Sequence, residues 1–152
     1  MMVKSRGYIA YVAARCATPG YAEARMLRKI RAKAVDLFIF EDIICRWGNV
    51  DTISTGNGSE FDNEILQVLL EDYNIHHIKI SPYNSRAQGI VKRSHRTFRE
   101  AQRLESQHDR YRPTKFHRAL WAERITIRPT VGYSQYYLVN GRGPLLLVMP
   151  SS

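Results

Sequence analysis

Apolar residues fall along the chain in blocks of two periods. Tyr8 to Ala14 (YIAYVAA) is a run of aromatic, branched and small residues that predicts a buried strand. Thr18-Pro19-Gly20 is a turn, and Tyr21 to Leu27 predicts the returning strand of a hairpin. From about Ile30 to Trp47 the positions Ile30, Ala34, Leu37, Phe38, Ile44 and Cys45 recur at helical spacing, interrupted only by Glu41, and Gly48 stops that helix. Val50 to Ser54 alternates as a short strand and runs into the loop Gly56-Asn57-Gly58. Asp62 is the expected N-cap of a helix reaching about Tyr73, with Ile65, Leu66, Leu69 and Leu70 facing inward. Ile75 to Ile80 predicts another strand, followed by the loop Ser81-Pro82-Tyr83-Asn84-Ser85.

Two further helices follow. The first spans about Ala87 to Gln107, with Val91, Ser94, Phe98 and Ala101 on its packed side. Lys92, Arg96, Arg99 and Arg103 recur along it at intervals of four, three and four, forming a basic stripe. The second runs from Thr114 to about Ile127, with Phe116, Leu120, Trp121 and Ile125 as its apolar side. Beyond Pro129 the turn residues and aromatics of GYSQYYLVNGRGP predict an extended arm. The order of elements is α/β, and no repeat or linker interrupts it.

Composition sharpens this picture. The 152 residues carry 23 Lys+Arg against 14 Asp+Glu, a net +9 that points to a polyanionic partner. The charge is segregated: residues 1–35 are net +7, 36–85 net −7 and 86–128 net +8. Arg accounts for 17 of the 23 basic residues, the side chain suited to bidentate phosphate contacts. No apolar run approaches the roughly 18–20 residues that span a bilayer, and no signal-peptide core follows the start, so neither a membrane nor a secreted location is expected. Cys16 and Cys45 lack metal or redox spacing and are expected to be reduced core thiols of an intracellular protein. The five histidines, His76, His77, His95, His108 and His117, do not pair with cysteines at zinc spacing. Ser94-His95 is no nucleophile pair, because adjacent helical residues point to different faces.

Three groups of words then take the reading past pattern. They are Gly56-Asn57-Gly58-Ser59-Glu60-Phe61, Ile75-His76-His77-Ile78-Lys79-Ile80-Ser81-Pro82-Tyr83-Asn84-Ser85 and Gly89-Ile90-Val91-Lys92-Arg93-Ser94-His95-Arg96. With Ala14-Arg15-Cys16, Phe40 to Gly48 and Gly132 to Tyr137, they resemble, in order and spacing, the integrase cores of fungal gypsy-type retrotransposons over about Gly7 to Pro144. The resemblance implies a ribonuclease H-like mixed sheet flanked by helices. It also implies DNA integration and nucleic-acid binding, in the nucleus or cytoplasm, by a protein that can form homo-oligomers. The family's chemistry uses an Asp/Asp/Glu triad that holds two Mg²⁺ or Mn²⁺ ions for in-line attack on a phosphodiester, carboxylates being the hard ligands these ions require.

In the family the second Asp and the Glu are separated by thirty-five residues. That spacing is kept here between positions 56 and 92, but the residues are Gly56 and Lys92. Gly56 offers no ligand, and the ammonium of Lys92 repels a cation. The first Asp lies, in the family, on the central strand before the one matched by Tyr8 to Ala14, which this sequence is expected to lack. Met1 to Arg6 then partly fill the gap, or the sheet closes imperfectly, or the chain is unstable alone. Asp51, Glu60, Asp62 and Glu64 lie nearby and read as strand-edge, loop and helix-start acids rather than replacements.

The expectation is therefore a truncated integrase core over residues 1–110, followed by a helix and an arm over 111–152. It has no intact catalytic residue, no metal site and no cofactor. Nucleic-acid contacts, to DNA or RNA, fall to Asn84, Arg86, Lys92, Arg93, Arg96, Arg99 and Arg103, the first two through the family's active-site loop. The alternatives are a non-catalytic nucleic-acid-binding module that has kept its basic helix for use, or a decayed reading frame without function.

Overall fold

The computed structural model describes residues 7, 8, 10–48, 50–81 and 112–143. The predicted helix over about 87–107 lies outside them. Strand β1 (Ala10–Arg15) and strand β2 (Ala22–Leu27) form an antiparallel hairpin in the register Ala10↔Leu27 to Arg15↔Ala22. Gly20 enables the reversal with a φ of 68°. A Cβ at this position would also lie 2.6 Å from Arg128 Nη1, so the guanidinium would have to move aside. β1 is half-buried throughout, not the buried strand its composition predicts.

The first helix is continuous but not uniform. α1 (Ala32–Phe38) passes into a π-helical stretch, Ile39–Ile44, and then into α2 (Cys45–Trp47). Gly48, at φ 76°, ends it as expected. The wider turns insert one extra residue into the helical period. The buried apolar positions are Val35, Phe38 and Ile39 at ordinary helical spacing and then Ile44, five residues on, whereas Ile30, Leu37 and Cys45 are exposed. Cys16 is exposed too, so neither thiol is a core residue.

Strand β3 (Thr52–Thr55) and strand β4 (His76–Lys79) pair in parallel, from Thr52↔His76 to Thr55↔Lys79. Between them lie a short 3₁₀ turn, Ser59–Phe61, and helix α3 (Glu64–Asp72). The cap of α3 is Asn63, one residue after the predicted Asp62, and its side chain accepts the Leu66 N–H at 2.8 Å. Of the four residues expected to face inward, Leu66 (0% exposed) and Leu70 are buried and Leu69 is partly so, but Ile65 is 64% exposed.

Helix α4 (Arg112–Ile125) buries Phe116 and Leu120 as predicted, while Trp121 turns to solvent at 51% exposure. The expected extended arm instead contains helix α5 (Gln135–Asn140). Ser134 caps it by accepting the Tyr137 N–H at 3.1 Å, and Gly141 closes it in the left-handed conformation.

These elements enclose two apolar clusters on opposite faces of the hairpin. In the first, Val35, Phe38, Ile39, Ile44, Leu66, Leu70 and Ile75 gather α1 and α3 against Val12 and Ala14 of β1 and Ile53 of β3. In the second, Phe116 and Leu120 of α4 pack on Ala22 and Met26, with Tyr11 tilted against Phe116 at 5.5 Å. Among the described residues the strands form two separate pairs, β1–β2 and β3–β4, rather than one sheet.

Buried polar links fasten α4 and α5 to the hairpin. The Glu23 carboxylate, 5% exposed, receives Arg124 at 2.6 Å, Arg46 at 3.1 Å and the Trp47 indole N–H at 3.2 Å. Arg124 also donates to the Ala22 carbonyl at 2.9 Å and lies 4.7 Å over the Tyr21 ring. Arg15 pairs with Glu123, and the Gln135 side-chain oxygen accepts the Ala22 N–H at 3.3 Å. No described helix is long and apolar enough to cross a membrane.

Candidate functional site

Gly56 follows the last residue of β3, at the edge where the two parallel strands end. Loops at the carboxyl ends of parallel strands are where α/β folds place their chemistry. The Gly56 backbone is not left-handed, and a Cβ there would meet no atom within 4 Å. The position is open and accepts a side chain, yet carries none.

The groups around it are already engaged. Thr55, buried, shares a 2.8 Å hydrogen bond between Oγ1 and His77 Nε2 across the strand pair. Burial holds the His77 imidazole below the usual histidine range, and the neighbouring Lys79 ammonium adds to this. Lys79 donates to Asp62 at 2.6 Å, and that bond lowers the Asp62 carboxyl below the usual carboxylate range. The Glu60 carboxylate folds back over Gly58, where a Cβ would meet it at 2.5 Å. Asp51 and Glu64 are exposed at a strand edge and a helix start. Among the described residues no three His, Cys, Asp or Glu side chains come together as a metal-binding group. The donor set beside Gly56, a hydroxyl, an imidazole and an ammonium-paired carboxylate, does not fit two divalent cations.

Asn84, Arg86, Lys92, Arg93, Arg96, Arg99 and Arg103 lie outside the described residues. The Thr55–His77 contact escaped the sequence reading. It follows from the register Ile53↔His77 and Thr55↔Lys79, which no local pattern encodes. Behind the site, Asp36 is buried; its Oδ1 accepts a hydrogen bond from Asn63 Nδ2 at 3.2 Å, and its Oδ2 has no partner among the described residues. Burial raises the Asp36 carboxyl above the usual range, partly offset by that bond.

No family model matches the chain. A retrovirus-related Pol polyprotein from transposon 412 of Drosophila melanogaster is 33% identical over 85 residues, 56% of this chain and 7% of that polyprotein. The chain thus spans less than a tenth of the curated relative it matches. Two solved structures share the fold. A chain of the simian T-cell lymphotropic virus intasome superposes with a TM-score of 0.74 at 16% identity, covering 100% of this chain and 55% of that one. The catalytic core domain of BIV integrase gives 0.67 at 21% identity, covering 84% and 83%. The chain therefore has the mixed α/β fold of a retroviral-type integrase catalytic core, and its sequence is similar to that of a retrotransposon polyprotein.

Proposed function

We propose that this chain is an integrase core of gypsy-type retrotransposon origin that has lost its metal site and kept a nucleic-acid-binding surface. One observation carries the reading. At the two positions that preserve the thirty-five-residue spacing stand Gly56 and Lys92, neither able to ligate Mg²⁺. The open space beside Gly56, which holds no side chain of its own, supports it. Cooperative metal sites lose most of their activity with any one member, so strand transfer is absent.

What remains is charge. Lys92, Arg93, Arg96, Arg99 and Arg103 supply phosphate contacts, and Asn84 and Arg86 add two from the preceding loop. Such binding needs no divalent ion. Fluorescence anisotropy with a labelled duplex, run from low to high salt in EDTA, tests this. A log–log salt slope of about −5 is expected for the six cationic contacts, Asn84 being uncharged. Replacing Arg96, Arg99 or Arg103 by Ala reduces the slope by about one each. A folded chain that binds no nucleic acid, or binds it independently of salt, is instead a decayed reading frame. Strand-transfer product in Mg²⁺ or Mn²⁺ refutes the loss of catalysis.

A further inference from the structure

The nucleic-acid surface proposed above draws on only one of the two basic blocks of the sequence. The other contains Arg28, Lys29, Arg31 and Lys33, four cations in six residues, on the segment that joins β2 to α1. All four are exposed. The Arg28 guanidinium lies 5.2 Å over the Tyr8 ring, a contact that positions the charge without neutralising it. Among the described residues none of the four enters an ion pair.

The acids close to this loop in sequence are engaged elsewhere. Between Ala22 and Asp42 they are Glu23, Asp36, Glu41 and Asp42. Glu23 receives Arg124 and Arg46, and Glu41 and Asp42 each hold Arg25 at 2.7 Å. Asp36 is buried and accepts from Asn63, and the first turn of α1 contains no acid. An ordinary solvated face intersperses charges of both signs. Here four like charges crowd together without a counter-charge, which favours a polyanion in contact with them.

The loop also borders the strand edge at which Gly56 stands open. α1 packs on the turn Ser59–Phe61, and Asn63 Nδ2 donates at 3.2 Å both to Asp36 Oδ1 and to the Glu60 carbonyl. The Ile80 N–H donates to the Thr55 carbonyl at 2.8 Å, so the chain leaves β4 at this same edge. Asn84 is three residues beyond Ser81, at most about 10 Å of chain. Of the acids on this edge, Asp62 is paired with Lys79 and Glu60 turns back over Gly58.

We propose that the Arg28–Lys33 loop is a second phosphate-binding surface, which holds the backbone of the same nucleic-acid duplex without reading its sequence. This rests on the nucleic-acid binding proposed above and extends it to residues outside the basic helix. Ammonium and guanidinium groups on a loop contact phosphate oxygens and supply no base-specific pattern.

Salt-dependent fluorescence anisotropy in EDTA, with labelled duplexes of two unrelated sequences, tests this. The six cationic contacts already proposed account for a log–log slope of about −5, and four more steepen it to about −9. Lys29→Gln/Arg31→Gln/Lys33→Gln, at exposed sites, leaves Tm unchanged and makes the slope shallower by about three on both sequences. Lys29→Arg/Lys33→Arg keeps the charge and therefore the full slope. A parent slope near −5 that the Gln variant leaves unchanged overturns the proposal and leaves the basic helix as the binding surface. A parent slope near −4 that only the Gln variant reduces upholds the loop and refutes the helix. No binding of either duplex at any salt refutes both. Loss of slope in the Arg variant equal to that in the Gln variant also overturns the proposal, since charge would not be what matters. Binding to phosphatidylserine vesicles that the Gln variant abolishes, with duplex binding unchanged, assigns the loop to a lipid surface and overturns the choice of partner.

Discussion

Replacing Glu23 by Gln keeps the shape of the side chain and removes its charge. The Arg124 guanidinium, 19% exposed and 2.6 Å away, then loses its counter-ion. Breaking a fully buried pair from one side costs about 3–5 kcal/mol. Arg124 retains the Ala22 carbonyl and the Tyr21 ring, which lowers that figure. Arg46 is half exposed at 52% and contributes about 0–1 kcal/mol. The net expectation is a loss of about 2–3 kcal/mol, or about 5–10 °C in Tm for a chain of this size. Urea denaturation with an unchanged m-value, combined with a Glu23→Gln/Arg124→Met double-mutant cycle, isolates the pair. The cycle should return a coupling of about 1–3 kcal/mol. A single-mutant loss under about 0.5 kcal/mol, or no coupling, would show that the network does not hold α4 to the hairpin.

Four other outcomes follow from the packing and the caps. Leu66→Ala, at a fully buried site between α1 and α3, should cost about 3–4 kcal/mol in denaturant unfolding. Asn63→Ala removes both the cap of α3 and a side-chain hydrogen bond to the buried Asp36 carboxylate, so its cost should exceed the ~1 kcal/mol of a cap alone. Because the folded Asp36 carboxyl titrates above its unfolded value of 3.8, its contribution is fully present below that value and is lost as pH rises through the folded one; Asp36→Asn should flatten this slope in Tm-versus-pH scans and raise Tm at pH 7. Gly56→Asp should stay within about 0.5 kcal/mol of the parent in thermal denaturation, and a larger loss would mean that glycine is required by the backbone.

The local features of the fold were legible in the residues. The hairpin, both later strands and the stop at Gly48 follow from turn chemistry and alternation. What escaped was set by geometry beyond the local window. The period through Ile30 to Cys45 assumes 3.6 residues per turn; ahead of the π stretch the core face falls on Val35, Phe38 and Ile39 rather than on Leu37, and across it the period lengthens to the five residues from Ile39 to Ile44, leaving Cys45 exposed. Asp62 and Asn63 are both good caps, and Asp62 is drawn off by Lys79 while Asn63 answers Asp36. Ser134 and Gly141 bracket α5 as cap and stop, but the turn residues crowded on either side of it hid a helix of only six residues. At the candidate site, the thirty-five-residue spacing located Gly56, and the open space beside it emerged only from three dimensions.

The π stretch also sets the phase of everything after it. Upstream, the helix serves the apolar cluster through Val35, Phe38 and Ile39; downstream, Arg46 and Trp47 of the same helix reach Glu23, and Asp42 within the stretch meets Arg25. One additional residue separates these two tasks. Its deletion between Ile39 and Ile44 would leave a more regular helix, but would turn the last turn by about 100° and carry Arg46 and Trp47 away from the hairpin. The segment can thus absorb many changes of side chain while tolerating no change of length, a constraint expressed in residue count rather than residue identity.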